Sequence, residues 1–575
     1  MKRQRIWRFP AAWSLFRRDD RLLLILIGVI VGVCSGLAAV VLNRSLVAML
    51  EWFHGYRLYW WSFLLPGAGA ALSSLFLNNL LREGAGHGVP EVIYSVSRYG
   101  GLMRMRSSFS RLISSCLTIG TGGSAGPEAP VVMSGAAIGS NIAKFFSLND
   151  RQRVTLVGCG AAGAISSIFN APIAGLVFSI EVILGEWTAL NIIPIAIASV
   201  AGTEVSRLLQ GNRIPFAHRE FHIQLPDTLA TVGLAVLCAA ASLLLTWSLR
   251  RMGRISRKVP APQWVRAAIG GCAVGLIGGY IPVVLGEGYH SIQAMIDGAF
   301  QQGLLLVAAA VFAKTLATAF TLGWGGSGGI FAPCLVIGSF VGLTYHRLLE
   351  AVWPAMNWVN EGCFALLGMA GLISGMLQAP LTGIFLIVEI TGGYEVVLSL
   401  IIVSAVSTTL CHYVESASFY MKDLVDSGHL LRPRTDARVL SDLSVRELLE
   451  TDGICVHPNM LLRDFIDVLQ QARRNYFPVE EEGSNKFLGI IHLDDIRPYL
   501  FNPGMYDVVL VGQIMDTEVE TVDPQEDLQE ILSRMDAMRL FSMPVVSHGV
   551  FLGMISKATL LDRYRKELMV QTQHL

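Results

Sequence analysis

Glu128 is the only charged side chain in the stretch GTGGSAGPEAPVVMSGAAIG, Gly120 to Gly139. A second stretch, GWGGSGGIFAPCLVIGSFVG, Gly323 to Gly342, repeats the phrase without a gap. Gly122/Gly325, Gly123/Gly326, Ser124/Ser327, Gly126/Gly329, Ala129/Ala332, Pro130/Pro333 and Gly135/Gly338 stay in register, while Phe331 stands where Glu128 does. Such a phrase offers anion binding rather than covalent catalysis. Glycine lets backbone approach a ligand closely, and proline suits the first turn of a helix. A helix starting within Gly126 to Pro130 aims unpaired N–H groups and the positive end of its dipole at whatever lies in front. That is an anion site, and GGIFAP supplies a partner helix start from the second stretch.

Partial charges hold an anion weakly enough to release it, where a fixed Lys or Arg would hold it tightly. Glu128 is then a rival anion. Its carboxylate can fill the same cradle when ionised and vacate it when protonated or displaced. A first-turn Glu that merely complements the helix dipole is the plainer account. It weighs less in a charge-poor membrane stretch, where an acid marks function. No HExxH, phosphate-binding GxxxxGKS/T or GxSxG motif occurs, so no enzyme is expected.

The elements that position these residues are membrane helices. Of 575 residues, 53% are hydrophobic and only 15% charged, with mean hydropathy +0.52; a soluble chain carries about 25% charged residues. Leu22–Leu42, Trp61–Leu81, Thr228–Leu249 and Val396–Val414 lack charge altogether, and each is long enough to cross a hydrocarbon core of about 20 residues. Lys2, Arg3, Arg5, Arg8, Arg17, Arg18 and Arg21 crowd the start against two acids. Beside a first span, such a cluster places the N-terminal segment 1–21 in the cytoplasm; it fits a nucleic-acid arm poorly, and no nucleic acid is expected as a partner. The nine cysteines lack any CxxC pair and read as apolar fillers, with no metal site.

A second pair of stretches matches in the same order. GAISSIFNAPIAGLVFSIEV (Gly163–Val182) aligns with GLISGMLQAPLTGIFLIVEI (Gly371–Ile390), at an offset of 208 residues against 203 for the first pair. Two halves of similar layout follow, about 22–210 and 228–420, within a membrane domain 22–430. Duplicated halves can invert around a site near the bilayer midplane. Many segments are short and broken by Gly or Pro, and irregular backbone survives at that depth only around protein or a water-filled cavity. The expected fold is an all-α polytopic membrane domain built from two inverted repeats with many short and broken helices, followed by an α/β domain pair.

That pair begins after about Leu430, where charge becomes frequent. Two segments share the plan strand, helix, strand through Phe477-Pro478-Val479 or Met543-Pro544-Val545, Gly-led strand, helix. They resemble cystathionine-β-synthase-type (CBS) domains, at 441–503 and 509–571. Nucleotide-binding CBS pairs often carry G-x-hydrophobic-S/T-x-x-D. Here Gly489-Ile490-Ile491-His492 with Asp495 keeps the acid, and Gly553-Met554-Ile555-Ser556 with Thr559 keeps the hydroxyl. The tail is either an adenine-nucleotide sensor using Asp495 and Ser556 or a structural dimerisation module.

The membrane half resembles the CLC family of chloride channels and proton/chloride exchangers. The family's GSGIPE is similar to Gly86-His87-Gly88-Val89-Pro90-Glu91, its GREGP to Gly126-Pro127-Glu128-Ala129-Pro130, and its GxFxP to Gly329-Ile330-Phe331-Ala332-Pro333. The resemblance implies a homodimer with one anion path per subunit in a cell (inner) membrane, the tail cytoplasmic, chloride or a similar anion as the ligand and no required cofactor. It makes Glu128 the gate. It places His87, Gly88, Gly126, Ala129, Gly329, Ile330, Phe331 and Tyr420 around the anion, the last through its hydroxyl. His87 replaces a serine, Pro127 an arginine and Ala129 a glycine, which leaves chloride, nitrate and fluoride all open as cargo. Many family exchangers follow an FxxE approach with a second acid on the proton route. Phe178-Ser179-Ile180-Glu181-Val182 has valine there, as in the channel branch. The expectation is a gated chloride channel, with a proton-coupled exchanger as the alternative. A membrane-anchored sensor acting through its tail is the reading from outside transport, but an anchor needs no Gly-Pro helix breaks.

Overall fold

In the computed structural model the described residues are 20–83, 88–212, 216, 221–298, 300–426, 443–472, 474–484 and 486–563. Nearly all of the basic segment 1–21, and His87, lie outside them. The chain divides into two compact units, Met1–Leu430 and Leu431–Leu575.

The first unit is helical. Its first half holds α1 (Asp20–His54), α2 (Leu65–Leu75), α3 (Val89–Tyr99), α4 (Ser110–Gly120), α5 (Glu128–Phe145), α6 (Asp150–Phe169), α7 (Pro172–Phe178) and α8 (Ala189–Gln210). The second half holds α9 (Leu225–Lys258), α10 (Gln263–Tyr280), α11 (Tyr289–Ile296), α12 (Leu304–Gly323), α13 (Phe331–Val352), α14 (Glu361–Leu377), α15 (Pro380–Thr391), α16 (Val397–Val414) and α17 (Phe419–Asp426). Among the described residues, seven helices are long and apolar enough to cross a membrane. The four charge-free runs all fall in such helices. The second of them, Trp60–Leu80, is composite, a 3-10 turn and a π turn flanking α2. Others are short, as the Gly and Pro breaks predict.

The repeats pack by the same rules. Gly135 on α5 meets the carbonyl of Gly160 on α6 so closely that a Cβ would lie 2.2 Å from it. Gly338 on α13 meets the carbonyl of Gly368 on α14 in the same way, at 2.4 Å. Helices in lipid gain little from burying apolar surface, so backbone contact through small residues holds them together.

The two halves also exchange bonds reciprocally. Ser124 N–H donates to Thr321 Oγ1 at 3.0 Å, and Ser327 N–H donates to Thr118 Oγ1 at 3.2 Å. Glu181 accepts from the N–H groups of Leu381 and Thr382, at 3.2 and 2.7 Å, at the start of α15. Glu389, its counterpart, accepts from Ile173 and Ala174, at 3.0 and 2.7 Å, at the start of α7. Each acid neutralises orphan amides at a helix start of the other half. The inverted duplication read from the sequence is therefore built into the hydrogen bonding.

The second unit contains two hairpins with their helices. α18 (Leu462–Gln471) precedes β1 (Tyr476–Glu480) and β2 (Phe487–His492), which run antiparallel and lead into α19 (Leu493–Leu500). α20 (Leu528–Ala537) precedes β3 (Ser542–Ser547) and β4 (Val550–Ser556), again antiparallel. The leading strand expected in each repeat shrinks to one parallel bridge, Val456 with Val479 and Val522 with Val545. Pro458 and Pro524 follow two residues later and cannot donate to a longer ladder. Pro478 and Pro544 keep their places in the hairpins by accepting from the amides of Val456 and Val522, both at 2.9 Å.

Candidate functional site

The two glycine phrases meet. Gly126 N–H donates to Gly329 O and Gly329 N–H to Gly126 O, an antiparallel bridge between the segments that lead into α5 and α13. Beyond this bridge the helices start at Glu128 and Phe331. A helix leaves its first N–H groups unpaired, and here those of Glu128 and Ala332 meet the Glu128 carboxylate between the two helix starts. An ideal Cβ on Gly126 would sit 3.0 Å from Ala332 N, and one on Gly329 would sit 3.1 Å from Ala129 N. Only glycine leaves that berth open.

Glu128 occupies it. The residue is 1% exposed, and its carboxylate lies against its own amide and that of Ala332. Oε2 hangs over Gly126, 2.0 Å from where a Cβ would be, and has no hydrogen-bond partner among the described residues. Oε1 accepts from the hydroxyl of Tyr289. A buried carboxylate with so few partners costs several kcal/mol in the ionised state.

Phe331 closes one side, its ring 5.6 Å from Phe169 and 6.0 Å from Phe178. Tyr420 on α17 is 1% exposed, its hydroxyl without a partner among the described residues, and it interacts electrostatically with Glu128 and Cys334.

Some expected residues contribute differently than the motifs imply. The amides of Gly126 and Gly329 are spent on each other, so these residues serve through their missing side chains. The Gly88 amide is also spent, donating to Glu91 Oε2 at 2.8 Å in a cap of α3. Ile330 is the residue just before α13, and Ala129 lies in the first turn of α5. His87 lies outside the described residues. Glu181 caps α15, and Val182 sits beside it in the π turn Ser179–Leu184 that extends α7.

Three residues escaped the sequence reading. Tyr289 begins α11, Glu287 precedes it by two residues, and Lys314 on α12 is fully buried. Glu287 interacts electrostatically with both Glu128 and Lys314. A signal was available: GEGY, Gly286 to Tyr289, repeats the GHGV of Gly86 to Val89. Both lead into a helix from a glycine at φ 87, so Glu287 is the second-half counterpart of His87.

In the tail, Asp495 Oδ2 accepts from the His492 amide at 3.0 Å and caps α19. The hydroxyls of Ser556 and Thr559 donate to Glu450, a buried acid that also accepts from Tyr476 and pairs with Arg474 at 3.0 Å. Burial first and Glu450 second push the Tyr476 phenol up.

A membrane fold of inverted repeats, with helix starts converging on a buried acid, defines a protein that passes anions. The family described as voltage gated chloride channel matches residues 69–412, and the chain belongs to it; CBS domains match 445–502 and 511–566. The H(+)/Cl(-) exchange transporter ClcA of Vibrio cholerae is 28% identical over 399 residues, covering 66% of this chain and 84% of its own. Chloride channel protein CLC-f of Arabidopsis thaliana is 27% identical over 567 residues, covering 86% of this chain and 70% of its own. The structure of a slow cyanobacterial Cl-/H+ antiporter superposes with a TM-score of 0.63 at 21% identity, covering 70% of this chain and 97% of its own.

Proposed function

We propose that this protein carries chloride or a similar inorganic anion across a cell membrane, through the berth between α5 and α13, with Glu128 as the gate. One observation carries the reading: a buried carboxylate sits between two helix starts, with one oxygen unpartnered and Gly126 and Gly329 keeping the space open. An anion arriving there takes the place of the carboxylate. The Ile330 and Phe331 amides and the Tyr420 hydroxyl are its donors, with His87 the further contact that the motif supplies. The protein performs transport and no chemical step of its own.

The mode proposed is passive conduction, because Val182 offers no second acid and Glu181 is occupied as a helix cap. Proton-coupled exchange is the second reading. It is favoured by the Tyr289 hydroxyl on Glu128 with Glu287 nearby, and by the likeness to ClcA. Chloride and proton fluxes recorded together from purified protein in liposomes separate the two. Passive conduction predicts no uphill proton movement under a chloride gradient; a fixed chloride-to-proton ratio establishes exchange. Flux of nitrate and fluoride in the same vesicles ranks the cargo. Glu128→Ala and Glu128→Gln test the gate itself, and a flux that neither change alters refutes it.

The tail is proposed to be cytoplasmic and to serve as a structural pairing module in a homodimer. Both remnants of the nucleotide motif are engaged within the protein, Asp495 as a cap and Ser556 on Glu450. An adenine nucleotide would have to displace Glu450.

A further inference from the structure

We propose that Tyr289 is a latch on Glu128, and that Glu287, on the same clamped segment, sets how readily the latch releases. The proposal rests on the reading of Glu128 as the gate. The segment 284–289 is short and held from both repeats. Lys314 Nζ donates to the carbonyls of Val284 and Gly286, at 3.0 and 2.8 Å. Gly286 N–H donates to Gly122 O at 3.2 Å, in the first glycine phrase. Gly286 and Gly288 lie at φ 60 and 87, a region glycine enters at little cost, and they turn the chain sharply on either side of Glu287. A Cβ on Gly288 would lie 3.0 Å from Val336 and 3.4 Å from Lys314 Nζ. The clamp thus delivers the first residue of α11, Tyr289, to the berth. Phe216 packs edge-on against its ring, 6.0 Å away at 85°, and the hydroxyl reaches Glu128 Oε1.

Lys314 is fully buried, and its Nζ donates to carbonyls. A charge at such a site is retained only where opposite charge answers it, and Glu287, on the segment that Lys314 clamps, is the acid whose field reaches it. Glu287 stands two residues before Tyr289, whose hydroxyl bonds Glu128, so that when ionised it acts on Glu128 as a like charge. Among the described residues, the titratable and charged groups around the gate are Tyr289 and Glu287 from α11 and its approach, Cys334 from α13, Tyr420 from α17, and Lys314 from α12 behind Glu287.

The two residues act in opposite senses. A phenol O–H donated to a carboxylate favours its ionised, seated form. A like charge nearby disfavours that form. Removing the hydroxyl lets Glu128 take a proton and leave at higher pH; removing the Glu287 charge keeps it seated until lower pH.

The test measures chloride flux against pH with the full-length protein in liposomes, for wild type, Tyr289→Phe and Glu287→Gln, each also combined with Glu128→Gln. Tyr289→Phe is expected to move the flux profile to higher pH by about one unit, the size of one charge-assisted hydrogen bond. Glu287→Gln is expected to move it to lower pH, and both shifts should vanish with Glu128→Gln. A Tyr289→Phe profile that matches wild type, while Glu128→Gln changes flux, overturns the latch and leaves the gate standing. Glu128→Gln without effect is instead the failure of the gate. Should Tyr289→Phe not fold, Glu287→Gln alone decides: a shift to lower pH that Glu128→Gln abolishes supports the proposal, and an unmoved profile overturns it.

Discussion

Gly126 and Gly329 exchange both of their backbone hydrogen bonds, at 2.8 and 2.7 Å, and so fix the distance between the two halves at the point where their helices begin. The bridge keeps the berth clear because neither residue has a side chain. Gly126→Ala places a methyl 2.0 Å from Glu128 Oε2 and 2.9 Å from Ala332 Cβ. That methyl fills the space both carboxylate and anion need. Chloride flux should fall at least about tenfold, the equivalent of ~1.4 kcal/mol or more of lost anion affinity, with gel filtration unchanged. Undiminished flux from a folded variant would show that anions pass elsewhere.

Glu181 and Glu389 answer to stability. Each accepts two backbone N–H bonds at a helix start of the opposite half. Alanine at either position should cost about 1–3 kcal/mol by leaving those amides unpaired, read as a lower temperature of half-inactivation in detergent. Glutamine, which can still accept, should cost less. If Glu181→Gln abolished proton movement while leaving thermal stability intact, Glu181 would belong to a proton route instead.

Glu450 gathers Ser556, Thr559, Tyr476 and Arg474 around one buried carboxylate. Glu450→Ala strands those partners and should loosen the tail by about 2–3 kcal/mol, seen as faster amide exchange in β4 and its neighbours. In the intact full-length protein, calorimetry with AMP and ATP should give no heat of binding. Robust heat would restore the sensor reading.

Acid weakens one contact in the tail in a predictable direction. The Asp507 carboxylate receives two bonds from Arg463, both at 2.6 Å, and these hold its carboxyl below the usual range. A depressed folded pKa means that the stabilisation is present above the unfolded value, about 3.9, and is lost as pH falls through the folded one. Both groups are exposed, with side chains 56% and 63% accessible, so the effect is small. Asp507→Asn should make the tail slightly less stable than wild type at neutral pH. The difference should close as pH drops below about 4; a gap that persisted at pH 2 would place its cause outside this pair.

Much of this was legible because duplication writes itself twice. The glycine phrases, the two Ala-Pro stretches and the two Pro-Val strands disclose an inverted membrane domain and a paired tail. Glu128 stood out because a lone acid in apolar sequence demands a reason. What stayed hidden was partner choice. Nothing in GHGVPE tells that the Gly88 amide is spent on Glu91, and nothing in GPEAP tells that Gly126 bonds to Gly329. Tyr289 was hidden for another cause, since Val89 stands at its place in the first half; Lys314 did have an echo, Arg111, 203 residues earlier, that the glycine phrases drew attention away from. Glu287 could have been found, since GEGY echoes GHGV, but the match is only two glycines long. Its meaning depends on a fold that brings residues 128 and 289 together.

The mutual capping by Glu181 and Glu389 bears on how the protein is made. When the ribosome has delivered only the first half to the bilayer, the amides of Ile173 and Ala174 and the carboxylate of Glu181 lack the partners they have in the finished protein. Those debts are settled only when residues beyond 380 arrive. The first half is therefore left unfinished until the second joins it, and the two halves complete each other's helix starts.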